Sequence, residues 1–282
     1  MQNDFSRPLA VMAIVNRTPD SFYDKGKTFA LDAAVAAGAA AFEAGATIVD
    51  VGGVKFAPGP AVAIEDEIAL VVPVVRELAL LGDVSVDTFH PAVARAAIEA
   101  GAAIINDTTG LRDPQMADVV ADSEARIVIA HSLATPRTQH PLPHYDDVTA
   151  EVGAFLRQRS DLALERGIPA ERIIIDPGHD LNKNTLQTLE ITRRLDEIAA
   201  IGFPLLVALS NKDFIGEALG RERDQRVAGS LAAAVFCVLH GASIVRAHNV
   251  PETVDALRMV ESILGWRVPE NLVHNMRAEG ND

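Results

Sequence analysis

The stretch "AGATIVD", Ala44–Asp50, returns twice along the chain, as "AGAAIIND" (Ala100–Asp107) and as "HGASIVRAH" (His240–His248). In the first two copies the glycine closes an alanine-rich segment of helical spacing, and in the third an almost wholly apolar one. A run rich in β-branched residues follows each time. Gly45, Gly101 and Gly241 stand where a helix end favours a left-handed residue. One helix-to-strand turn is therefore used repeatedly, and the chain is expected to alternate helix with strand.

Working outward from these copies, eight apolar runs have strand length: Leu9–Asn16, Thr47–Gly53, Val84–Thr88, Ala103–Thr108, Arg126–Ser132, Ile173–Gly178, Pro204–Ser210 and Ser243–Asn249. Each is apolar on both faces, as buried parallel strands are. Helical patterns fill the gaps, at 31–45, 65–81, 91–101, 114–121, 148–167, 185–200, 224–241 and 251–264. The segment "DQRVAGSLAAAVFCVLHG" (Asp224–Gly241) is apolar nearly all round, which predicts heavy burial and a subunit contact near Ala232–Leu239. Eight such repeats within roughly 250 residues predict an α/β fold, a (β/α)8 TIM barrel. A doubly wound sheet would carry a Gly-x-Gly-x-x-Gly turn after its first strand, and none is present. The expected organisation is a flexible N-terminal segment (1–8), a single barrel domain (9–266) and a polar C-terminal tail (267–282).

Composition narrows the partners. The formal net charge is −14 with no basic run, which argues against nucleic acid, whose phosphates need a positive face. The single cysteine, Cys237, sits in an apolar run and reads as a buried structural thiol. The start "MQNDFSRPLA" lacks the basic and apolar regions of a secretion signal. No apolar run approaches the ~20 residues that cross a membrane. A cytoplasmic protein with no membrane partner is expected.

In a barrel the site lies where the strands end. Those ends carry Asn16, Asp50, Asp87, Asn106, Asp107, His131, Asp176, Ser210 to Lys212, Arg246 and His248. Some of these could merely cap helices, Thr88 and Asp107 above all. As a ring, they offer acceptors on one side and cations on the other. That suits a flat nitrogen heterocycle joined to an anion. The stretch "NRTPDSFYDKG" (Asn16–Gly26) is long for a loop after a strand and reads as a lid. The histidines His131, His179 and His248 have no zinc-ligand spacing. A hard cation carried in on a diphosphate, with Asn16 as one oxygen ligand, fits better. Nothing sets Ser210 and His248 up as a nucleophilic pair.

The ordered motifs "NRTPDSF" (Asn16–Phe22), "SVDT" (Ser85–Thr88), "IND" (Ile105–Asp107), "DPG" (Asp176–Gly178), "SNKDFIG" (Ser210–Gly216) and "RAHNV" (Arg246–Val250) resemble those of the dihydropteroate synthases. The resemblance runs from about Val11 to Trp266. It implies a barrel, usually dimeric, that joins 6-hydroxymethyl-7,8-dihydropterin diphosphate to 4-aminobenzoate with Mg2+ and releases diphosphate. It implies pterin contacts for Asp87, Asn106, Asp176, Lys212 and Arg246. It implies diphosphate contacts for Asn16, Arg246 and His248, with Asn16 meeting Mg2+ only when diphosphate is bound.

The same resemblance exposes departures. Where the family reads Asp-Ile-Gly-Gly-Glu-Ser-Thr-Arg-Pro-Gly, this chain has Val54, Lys55, Phe56 and Ala57 in place of Glu, Ser, Thr and Arg. The arginine lost at 57 would hold the diphosphate and the threonine lost at 56 the aminobenzoate. A charge-assisted bond of that kind is worth roughly 1.5–3 kcal/mol. After the seventh strand, Asn211 and Asp213 replace an arginine and a serine, and Asp213 would set a like charge against the aminobenzoate carboxylate. His179-Asp180-Leu181 and His131-Ser132 alter the pterin walls. The expectation is a divergent synthase-like protein, a binder of pterin-like or sulfone/sulfonamide-like molecules, that has lost or nearly lost the condensation. Three alternatives stand beside it: an active synthase in which Lys55 and Arg17 compensate, a transferase with another acceptor, and a non-catalytic binding dimer.

Overall fold

The computed structural model describes residues 9–16 and 31–275. Expectations for 1–8, for 17–26 of the first long loop including Arg17, and for the tail beyond 275 lie outside the described residues.

All eight expected strands form, and all are parallel: β1 (Ala10–Asn16), β2 (Ile48–Gly52), β3 (Asp83–Asp87), β4 (Ile104–Asp107), β5 (Arg126–Ala130), β6 (Ile173–Asp176), β7 (Leu206–Ala208) and β8 (Ile244–Ala247). Their order is β6-β5-β4-β3-β2-β1-β8-β7. The two ends meet through one bridge, Ile175 to Leu205, where the Ile175 amide donates to the Pro204 carbonyl at 2.9 Å. The barrel is thus nearly closed, with its thinnest seam between β6 and the three-residue β7.

Strand periodicity explains the rest. Met12, Ile48, Ile104, Val128, Ile174, Leu206, Ala208 and Ile244 form a cluster inside the barrel. Their odd-numbered neighbours in β1, β2 and β8, such as Val11, Val49 and Val245, and the opposite-face residues Val86, Ile105, Ile127 and Ile175 join the larger core under the helices. Side chains two residues apart share a face. Hence the residue two beyond each inward isoleucine also faces inward, one layer nearer the mouth. Those residues are Asp50, Asn106, Asp176 and Arg246. The polar ring follows directly from the apolar one.

The helices are α1 (Leu31–Glu43), α2 (Ile64–Leu78), α3 (Pro91–Glu99), α4 (Gln115–Ala121), α5 (Val148–Glu165), α6 (Thr185–Arg193), α7 (Leu195–Ala199), α8 (Asp213–Leu219), α9 (Val227–Leu239) and α10 (Val250–Ile263). The repeated glycine turn is present as read: φ is +95° at Gly45, +110° at Gly101 and +102° at Gly241. Three readings are corrected. The helix expected over 185–200 breaks at Arg194 (φ −105°, ψ 29°). There the guanidinium gathers Asp147 at 3.0 Å, Glu190 at 2.9 Å and Glu197 at 2.7 Å. Helix α8 (seven residues) was not anticipated. Helix α9 buries only one stripe, Ser230, Ala234, Cys237 and Val238, and leaves Phe236 and Leu239 open. Its all-round apolar character is therefore not explained by packing among the described residues. Cys237 is buried as expected, and burial pushes its thiol up to about 12. Among the described residues no helix is long and apolar enough to cross a membrane.

Candidate functional site

The mouth is built around Arg246. Its Nε donates to Asp50 Oδ2 at 2.6 Å and its Nη2 to Asp87 Oδ2 at 3.3 Å. Asn106 Nδ2 donates to the same Asp50 oxygen at 3.2 Å. Strands β2, β3, β4 and β8 thus bring four of the sequence-derived residues into one contact set. Burial works against the Arg246 charge, but Asp50 and Asp87 outweigh it and raise the guanidinium above its usual value. Asp87 is pushed up to about 7, first by burial and then by the Asp50 charge, with Arg246 pulling the other way. A methyl group built on Gly52 would lie 3.6 Å from Asp87 Cβ and 3.7 Å from Asn16 Oδ1. Asn16 therefore faces the same side of the mouth.

Two acceptors in this layer are buried without a hydrogen-bond partner among the described residues: Asp50 Oδ1 and Asn106 Oδ1. Leaving a buried polar atom unmade costs about 1–3 kcal/mol. A ligand bringing N–H donors recovers that cost, so the donor set fits a nitrogen heterocycle.

Across the mouth, Asp176 Oδ1 accepts the Gly178 amide at 2.7 Å, and burial raises its carboxyl despite Lys212. Lys212 Nζ donates to the His179 carbonyl, and burial lowers its ammonium against the pull of Asp180 and Asp176. His248 donates its amide to Ser210 Oγ at 3.1 Å, and its Nδ1 lies 3.2 Å from the same oxygen. Asp107 is turned back on its own loop, accepting from Thr109 and Leu111 at 2.7–2.8 Å. It serves the local turn and caps no helix, since the following helix starts at Gln115 with Pro114 as its N-cap.

The altered segments fall differently from the simple expectation. Asp213 is 86% exposed and receives Arg226 Nη1 at 2.9 Å. An exposed, paired carboxylate repels far less than a bare one in a low-dielectric site. Asn211 is buried in a left-handed conformation (φ 58°). Its amide donates to Ser230 Oγ at 3.0 Å and its Nδ2 to Asn249 Oδ1 at 2.9 Å. It is spent on holding α9 and α10. The Phe56 ring packs on His140 with ring centroids 4.8 Å apart. Ala57 offers only its backbone, and Lys55 is half-buried beside them.

Several buried groups escaped the sequence reading. Lys183 Nζ donates to His131 Nδ1 at 2.9 Å, to the Gly178 carbonyl at 2.9 Å and to the Leu181 carbonyl at 3.1 Å. It is pushed down to about 7, chiefly by burial, with Lys212 adding to the effect and Asp176 opposing it. His131 is pushed down to about 2 by burial and by Lys183, so it stays neutral. His179 is also driven low by burial, and neither ring nitrogen has a partner. Glu67 of α2 is fully buried with both carboxylate oxygens unpartnered. Burial pushes it up to about 7; the Thr88 hydroxyl pulls the other way without reaching hydrogen-bond geometry. The signal was present in the sequence: Glu67 shares a helical face with Val71, Val74 and Leu78.

Glu67 gives a first expected result. Its folded value, about 7, lies above the ordinary 4.5, so the folded chain binds the extra proton between those two pH values. Stability contributed by the neutral acid is full below that window and lost as pH rises through the folded value. Glu67→Gln should therefore stabilise the protein at about pH 8 by roughly 2–3 kcal/mol and do little at about pH 4.5. Urea unfolding at both values reads this directly; equal midpoints for mutant and parent at the higher pH would contradict it.

No set of three or more His, Cys, Asp or Glu among the described residues could hold a metal ion. A resident metal cage does not fit the described residues.

With that geometry in place, comparison with known proteins is informative. The family described as pterin binding enzyme matches residues 12–248. A Mycobacterium leprae protein named inactive dihydropteroate synthase 2 is 42% identical, over 96% of this chain and 97% of its own. The Escherichia coli K12 dihydropteroate synthase is 40% identical, over 93% of each. The solved Xanthomonas albilineans dihydropteroate synthase with 4-aminobenzoic acid superposes with a TM-score of 0.85 at 43% identity, covering 94% of this chain and 95% of its own. The eight-stranded barrel, the ordered mouth residues and these likenesses agree: the chain belongs to the dihydropteroate synthase family of pterin-binding enzymes.

Proposed function

We propose that the protein binds a pterin-like heterocycle in the barrel mouth and has lost, or nearly lost, the condensation with 4-aminobenzoate. Similarity does not decide this, since an inactive relative and a synthase are almost equally alike. The reading rests on one contrast. Asp50 Oδ1 and Asn106 Oδ1 remain buried acceptors awaiting donors, while Phe56 and Ala57 give an anionic reactant no side-chain donor. On this reading Asp87, Asn106 and Asp176 accept from the pterin amino and ring N–H groups. Lys212 donates to it and Arg246 lies against it. Asn16, Arg246 and His248 remain at the diphosphate side, where Mg2+ would arrive with the substrate. Phe56, Ala57 and Asn211 no longer serve the reactants.

A transferase with another acceptor is the second reading, favoured by one observation: the Asp213–Arg226 pair keeps charged groups in the connection after β7. A homodimer is also proposed, through the open apolar stripe of α9 and α10 that carries Phe236, Leu239, Met259 and Ile263.

Calorimetry with 6-hydroxymethyl-7,8-dihydropterin tests the pterin reading. Binding should be measurable for the parent protein and abolished by Asp176→Ala. Heat of binding unchanged by that substitution would place the ligand elsewhere.

A further inference from the structure

The segment after β2 (53–63, here loop two) has no regular structure up to the start of α2, yet it is not loose. Its carbonyls are held by two side chains from the segment after β5, about eighty residues away. Arg137 Nε donates to the Pro60 carbonyl at 2.9 Å and Arg137 Nη1 to the Ala57 carbonyl at 3.3 Å. His140 Nε2 lies 3.1 Å from the Phe56 carbonyl, and its ring carries the Phe56 ring. The Gly59 amide returns a bond to the Arg137 carbonyl at 3.4 Å, and Pro58 bridges Arg137 as in a parallel sheet.

We propose that Arg137 and His140 are positioning residues that clamp loop two onto the segment after β5, turning positions 56 and 57 away from the mouth. Three observations carry this. Arg137 adopts a left-handed backbone (φ 65°), which a bulky residue rarely holds unless its surroundings impose it. Its guanidinium meets carbonyls, and no carboxylate pairs with it among the described residues, in a chain of net charge −14. Gly59 is the residue that admits it, since a Cβ there would collide with the guanidinium. Phe56 then has a use: the residue that replaced a substrate-facing hydroxyl packs on His140 and fixes the loop. The consequence for ligand choice rests on the pterin reading above; the clamp itself does not.

The test is limited trypsin digestion of the full-length, ligand-free protein, following cleavage of the Lys55–Phe56 bond by mass spectrometry. Arg137→Ala should accelerate that cleavage at least about tenfold, in the regime where cleavage reads the open population. His140→Ala should accelerate it severalfold, and His140→Gln, which keeps a donor for the Phe56 carbonyl but gives up the ring contact, should fall between His140→Ala and the parent. Gly59→Ala keeps every charge and crowds the far end of the guanidinium, which must shift, so it should accelerate cleavage in the same direction but less than Arg137→Ala; it guards against an Arg137 variant that does not fold. Parent-like cleavage in folded Arg137→Ala, or in both Gly59→Ala and His140→Ala, overturns the clamp. Failure of pterin binding in the parent would sink the functional reading and leave this result standing.

Discussion

Arg246→Met is expected to destabilise the barrel by about 3–5 kcal/mol at about pH 8, the usual cost of removing one partner of a buried ion pair. Methionine fills similar space but leaves Asp50 and Asp87 facing each other. Asp50 is fully buried and Asp87 mostly so, and among the described residues only Asn106 Nδ2 would remain as a donor to Asp50. The loss should depend on pH in a defined direction. Asp87 already lies near 7 with the cation present. Without it, the folded value rises further above the ordinary 3.8, and the folded chain takes up a proton as pH falls. The destabilisation should therefore shrink on going from about pH 8 to about pH 5. Urea unfolding at the two values measures it. A change below about 1 kcal/mol at both values would mean that the triad is solvated and that water reaches Asp50.

The second large effect is a gain. Phe56→Thr with Ala57→Arg should raise 4-aminobenzoate-dependent turnover by roughly ten- to a hundredfold, because a charge-assisted contact worth about 1.5–3 kcal/mol in the transition state corresponds to that factor. Adding Asp213→Ser should contribute less than about threefold, since Arg226 already draws the Asp213 charge aside. Replacing Phe56 also gives up the ring contact with His140, so loop two regains the freedom to close over a reactant. A coupled assay of dihydropteroate formation reads the gain. No increase with the fold intact would shift the defect to the altered pterin walls at His131, Ser132, His179 and Leu181.

The architecture was legible because it is written locally. Strand length, glycine turns and apolar periodicity all act over a few residues, and the barrel follows from repeating them. The polar ring was legible for the same reason: Asp50, Asn106, Asp176 and Arg246 each sit two residues beyond an inward isoleucine. What stayed hidden depends on distance in sequence. Arg137 reaches Pro60, Arg226 reaches Asp213, and Lys183 reaches His131, and no local period announces such partners. The consequence is concrete for Asp213, whose charge looked obstructive in sequence and is paired in the fold. Phe56 likewise read in sequence only as the loss of a threonine, and in the fold its ring packs on His140. Glu67 is the intermediate case. Its face of α2 could be read from spacing, but the pressure on its proton comes from the tertiary burial of that face.

The most direct measurement is the single-turnover rate of dihydropteroate formation by the unmodified protein. It would be run with saturating pterin diphosphate, Mg2+ and 4-aminobenzoate beside the Escherichia coli synthase. A rate more than about tenfold and up to about a hundredfold below that enzyme, the kinetic weight of the contacts missing at 56 and 57, is the expected result. A rate within about tenfold of it would contradict the proposal, because the lost side chains would then have been replaced from elsewhere in the mouth.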